Sequence, residues 1–148
     1  VTGDSDTRAS VGTTTGHTGR RARRAAVAWT LVIVAASLVD PAAILKPLGA
    51  SRTAGAGGTG GAAAFATAHL VAYGVLAWLL GDGLDPNTDG FRAVVTAIAV
   101  ATAVGVGVEL LQAPVAARTA GAPDALVNAV GATVGAGLHA ALDGRRRR

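Results

Sequence analysis

Uncharged, apolar stretches recur four times along the chain, each closed by breakers or charges, and this alternation predicts four helices and no sheet. Residues 25–39 (AAVAWTLVIVAASLV) run 15 positions without a charge, about 23 Å of helix, and stop at Asp40-Pro41. The second run covers 61–80, the third 92–111 and the fourth 124–142. All four lengths suit helices that cross the ~30 Å hydrocarbon core of a bilayer, the first by using flanking residues as well. Between the second and third lies GDGLDPNTDG (81–90), a short turn dense in breakers, so those two helices are expected to be antiparallel neighbours. The first connection, 40–60, ends in a glycine-rich stretch, and the last, 112–123, contains Pro114, Arg118 and Gly121. Residues 1–24 lack apolar periodicity and are expected to be a disordered basic tail; 143–148 form a second, arginine-rich one.

Composition turns these helices into membrane helices. Half the chain is apolar (51%), yet only 3% is aromatic and 21 residues are glycine. Soluble cores depend on large side chains, whereas helices in lipid pack through small residues that let backbones approach. The first run follows basic residues, as a secretory signal does, but no convincing small-x-small cleavage site follows it, and it is read as a retained span.

Net charge is +4, with the arginines gathered in blocks: Arg20, Arg21, Arg23 and Arg24 before the first run, and Arg145 to Arg148 at the end. Blocks flanking membrane helices suit anionic lipid headgroups, and no base-contacting aromatics accompany them, so nucleic acid is not an expected partner. Basic residues also set orientation. With the N-terminus inside, five Lys/Arg of the N-terminal tail, Arg92 and four C-terminal arginines are cytoplasmic, against three outside: Lys46, Arg52 and Arg118. The expectation is an all-α, integral membrane four-helix bundle of the cell membrane, with both termini cytoplasmic. Cysteine is absent, which removes thiol nucleophiles and Cys-ligated metals; no cofactor or metal is expected.

Polar residues inside spans are costly and are functional-site candidates by default. Here they share the outer end: His69 and Tyr73 on the second helix, Glu109 and Gln112 on the third, Asp124 and Asn128 at the start of the fourth, and Arg118 in the connection between the last two. Glu109 and Gln112 are i, i+3, and His69 and Tyr73 i, i+4. Asp124, Asn128, Gly131, Gly135 and His139 follow steps of four, three, four and four, so each set lies on one helix face. The inner end offers nothing comparable in the sequence.

Glu109-x-x-Gln112, then Arg118, Asp124, Asn128 and Gly131, following His69-x-x-x-Tyr73-Gly74, resembles the VanZ-like family of multi-pass membrane proteins. The resemblance covers roughly 27–142, and its specific part is 69–135. The family takes its name from a protein associated with resistance to the glycopeptide teicoplanin, so the resemblance implies a role at the cell envelope. One departure is evident: an Asp-Lys pair common in the family shortly before the histidine is replaced here by the neighbourhood of Phe65 and Ala66.

Each residue also has a structural explanation. Asp124 follows Pro123 in a first helical turn, where the dipole favours a carboxylate. Arg118 pairs equally well with Glu109 or Asp124. Asn128 and Gln112 suit interhelical hydrogen bonds, Gly131 and Gly135 suit close packing, Tyr73 suits either, and His139 suits the inner interface. Joint placement with His69 raises Glu109, Arg118 and Asp124 above that level. Three functions compete. A binding module would hold a lipid headgroup or amphiphile, or associate with another membrane protein, through Arg118, Gln112, Asn128 and Tyr73. An enzyme acting on a lipid-linked envelope substrate would use Glu109, Asp124 or His69 for proton transfer. A structural bundle would use the cluster to fix helix register.

Overall fold

A computed structural model describes residues 7–38, 59–84, 87–112 and 122–146, with side chains for 17–38, 63–84, 87–112 and 123–146. Arg118, Lys46, Arg52 and the Asp40-Pro41 end of the first run lie outside the described residues. Among the described residues there are four helices and no strand: α1 (Thr7–Leu38), α2 (Thr59–Gly83), α3 (Gly90–Gln112) and α4 (Ala122–Arg146). The all-α expectation is met.

Helix ends differ from the expected limits for identifiable reasons. α1 begins inside the stretch expected to be a disordered tail, at Thr7 instead of residue 25; once a strong nucleus exists, each added residue gains a backbone hydrogen bond. α2 continues past residue 80 to Gly83. Its terminal Gly83 carbonyl, which has no partner within the helix, accepts a 2.6 Å hydrogen bond from Arg23 Nε of α1. Asp89 caps α3, its carboxylate accepting from the Phe91 amide at 3.3 Å while its carbonyl accepts from Ala93 at 2.9 Å. α4 runs on to Arg146, and Arg145 and Arg146 in its last turn complement the negative end of the helix dipole.

Three segments, Ala63–Gly83, Gly90–Gln112 and Pro123–Arg146, are long and apolar enough to cross a membrane. α1 is not among them: its uncharged described part, 25–38, measures about 21 Å and follows directly on four arginines. Side-chain size is inverted relative to a soluble bundle. Seven of the ten buried apolar residues of the shared core are Ala26, Ala77, Ala97, Ala101, Ala132, Ala136 and Val108, whereas Leu110, Leu126, Val130, Val134 and Leu138 face outward. In water such an apolar surface would be an aggregation site; in lipid it is solvated. Threonines on these faces keep their hydroxyls satisfied locally, as Thr67 and Thr133 do by donating to the carbonyls of Ala63 and Ala129, four residues back. The protein is a membrane protein by this architecture.

α2 and α3 occupy the centre, each packing against the other and against both outer helices, while α1 and α4 do not meet among the described residues. Arg23 near Gly83 and Trp29, whose Nε1 donates to the Ala72 carbonyl at 2.9 Å, make α1 antiparallel to α2. α2 and α4 run parallel and form the closest pair, because Gly74 faces Gly131 and Gly135. A Cβ on Gly135 would overlap the Gly74 carbonyl, and one on Gly131 the Leu70 carbonyl. Here glycine is required by proximity of backbones.

Candidate functional site

The parallel pairing of α2 and α4 brings the start of both helices together, and the antiparallel α3 delivers its end to the same level. There Asn128, only 1% exposed, bridges three helices. Its Oδ1 lies 2.9 Å from His69 Nδ1 of α2, and its Nδ2 donates to Glu109 Oε1 of α3 at 3.4 Å. Because the carboxylate oxygen takes the amide's donor, the amide oxygen is left to accept, which places the proton of the imidazole on His69 Nδ1. Nε2 of the same ring is then left without that proton.

Neighbouring rings enclose this chain. Phe65 lies 4.2 Å from His69 between ring centroids, and Tyr73 lies 6.0 Å away on the other side. Gly105 of α3 makes room for both Tyr73 and Asn128: a Cβ there would sit 3.2 Å from Tyr73 Cε1 and 2.9 Å from Asn128 Nδ2. Tyr73 is 1% exposed, and its hydroxyl has no hydrogen-bond partner among the described residues. Buried polar groups are normally paired, so this hydroxyl is unmet hydrogen-bonding capacity beside the His69–Asn128–Glu109 chain.

Of the expected residues, His69, Asn128, Glu109 and Tyr73 therefore converge. Asp124 is half-buried one turn before Asn128 on the same helix face. Gln112 is buried at the same end but turns away from the cluster, donating from Nε2 to the Ser37 carbonyl of α1 at 2.7 Å and so tying α3 to α1. Arg118 lies outside the described residues. The side chains that meet are acid, amide, imidazole and phenol; no group of three or more metal-ligating side chains occurs among the described residues.

The opposite end is less empty than the sequence suggested. His139 Nε2 sits 2.8 Å from Asp82 Oδ1, its ring meets Trp78 edge-on at 5.4 Å, and Gly81 leaves space for the imidazole. Asp82, His139 and Asp143 border a cleft of about 410 Å³ between the α2–α3 turn and α4. The signal was present: His139 continues the Asn128, Gly131, Gly135 face that packs on α2, and Asp82 ends the partner helix.

Comparison with protein-family models, with curated proteins and with solved structures finds no match to this chain.

Proposed function

We propose that this chain is a VanZ-like protein of the cell membrane that holds the polar head of a lipid or other amphiphile at the His69–Asn128–Glu109 end of the bundle. α1 makes the fourth crossing, both termini are cytoplasmic, and the site faces the outer leaflet. The charge distribution supports this orientation: Arg20, Arg21, Arg23, Arg24, Arg92, Arg145 and Arg146 all belong to the end opposite the site.

The observation that carries the binding reading is the Tyr73 hydroxyl, buried and without a partner among the described residues, next to a hydrogen-bonded chain that ends on a carboxylate. A cluster serving only to lock helices is expected to be fully satisfied, since an unmet buried group costs about 1–3 kcal/mol. A ligand's polar head supplies the missing partner. Arg118, six residues after Gln112 in sequence, supplies the cation for a phosphate or carboxylate on that ligand.

The test is retention of a short polyprenyl phosphate by the purified protein in non-ionic detergent, against the corresponding neutral polyprenol. The phosphate should be retained preferentially, Arg118→Ala should abolish the preference, and Tyr73→Phe should weaken retention without unfolding the bundle. Equal retention of the two compounds, or a preference indifferent to both substitutions, rules the reading out.

A second reading, an enzyme acting on a lipid-linked envelope substrate, is favoured by one feature. An imidazole oriented by an amide that is itself held by a carboxylate is a pre-positioned proton-transfer group, with Nε2 of His69 as its working atom. Under that reading Glu109→Gln abolishes turnover while binding of the polyprenyl phosphate survives.

A further inference from the structure

At the basic end, on the side of α2 away from His139, α1, α2 and α3 enclose a groove of about 400 Å³. Its walls are almost entirely apolar: Ala26, Val27 and Leu31 from α1, Leu80 from α2, Leu84 just beyond the end of α2, and Val100 from α3. Arg23 stands at its mouth, one turn before Ala26 and Val27 on the same helix face. By helix rise the groove extends about 12 Å from Arg23 to Leu31, inward from the charged boundary along the direction that a lipid chain takes.

Arg23 is anchored. Its Nε donates to the Gly83 carbonyl at 2.6 Å, so the guanidinium is fixed at the groove mouth while the residue as a whole stays exposed. Gly83 permits this approach: a Cβ there would lie 3.0 Å from Arg23 Cγ. The nearest acid in sequence, Asp82, is engaged by His139 on the α4 side of the helix. A fixed guanidinium above an apolar channel complements one chemistry in a membrane, a phosphodiester attached to an acyl chain.

We infer that this groove is a binding site for a single anionic phospholipid, with an acyl chain along Ala26, Val27 and Leu31 and the phosphate at Arg23. The site is independent of the polar cluster at the other end and uses none of its residues. Its volume falls within the ~300–1,000 Å³ of ligand pockets generally.

Native mass spectrometry of the full chain in non-ionic detergent tests this, with dioleoyl-phosphatidylglycerol and dioleoyl-phosphatidylcholine as matched probes. One molecule of phosphatidylglycerol should be retained over phosphatidylcholine by roughly fivefold, the effect of one arginine near an anionic lipid. Arg23→Gln should equalise the two lipids, Arg146→Gln should leave the preference intact, and Val27→Trp, filling the groove without touching a hydrogen bond, should lower retention of both. Equal retention by the wild type overturns the inference. So does a preference that survives Arg23→Gln but disappears with Arg146→Gln, which assigns it to the tail, or unchanged retention in Val27→Trp, which stands as a test even if Arg23→Gln fails to fold.

Discussion

Asn128 is the residue on which the polar end depends, because from α4 it reaches both α2 and α3 through side-chain hydrogen bonds to His69 and Glu109. Asn128→Ala deletes both bonds and leaves a space beside Gly105. The expected loss is about 1–2 kcal/mol, from two membrane hydrogen bonds of ~0.6 kcal/mol each plus lost packing, read as earlier thermal unfolding in detergent. His69→Ala, which removes only one of the bonds, should cost less. The helix faces carrying Glu109, Asn128 and His69 were legible in the sequence from i, i+3 and i, i+4 spacing. Which of them would bond was not. That depends on how α2 and α4 are rotated and staggered, and those quantities are set by the backbone contact at Gly131 and Gly135. Gln112 lies one turn beyond Glu109 in the sequence, yet its amide reaches a backbone carbonyl of α1, a contact that spacing alone does not reveal.

At the scale of elements, the α2–α4 pair is held by the absence of side chains. Gly135→Ala places a methyl against the Gly74 carbonyl and should force the helices apart, costing roughly 1–3 kcal/mol and breaking the His69–Asn128 bond with it. Gly137→Ala is the control: nothing lies within 4 Å of a Cβ there, so no destabilisation is expected. Thermal unfolding of the two variants side by side checks both. The existence of four helices and the packing role of Gly131 and Gly135 could be read from the sequence. The helix limits could not, because two of them rest on tertiary or capping bonds: the end of α2 on Arg23 to Gly83 and His139 to Asp82, and the start of α3 on Asp89 to Phe91. Side chain to backbone bonds between distant helices, such as Trp29 to Ala72, leave no periodic trace in a sequence.

For the whole molecule, the two ends are chemically distinct. One carries the His69–Asn128–Glu109 chain, and the other the arginines, the Asp82–His139 pair and the lipid groove. The orientation we propose, with the arginines in the cytoplasm, is the one the positive-inside rule favours. The natural lack of cysteine makes this directly testable. A membrane-impermeant thiol reagent applied to intact cells should label Ala116→Cys and spare Asn87→Cys, and the reverse pattern means an inverted topology.

The central claim is that the polar cluster is kept for a ligand at some cost to the fold. Thermal unfolding in detergent of the wild type beside Glu109→Gln and Tyr73→Phe tests it most directly, because it needs no known ligand. Glu109→Gln preserves an acceptor for Asn128 while removing an ionisable group, and Tyr73→Phe removes a buried hydroxyl without a partner among the described residues. Functional groups are commonly retained against stability. Both variants should therefore unfold at the same temperature as the wild type or higher, Tyr73→Phe by the equivalent of about 1 kcal/mol. Clear destabilisation of both would contradict the account and make the cluster a lock that holds the helices in register.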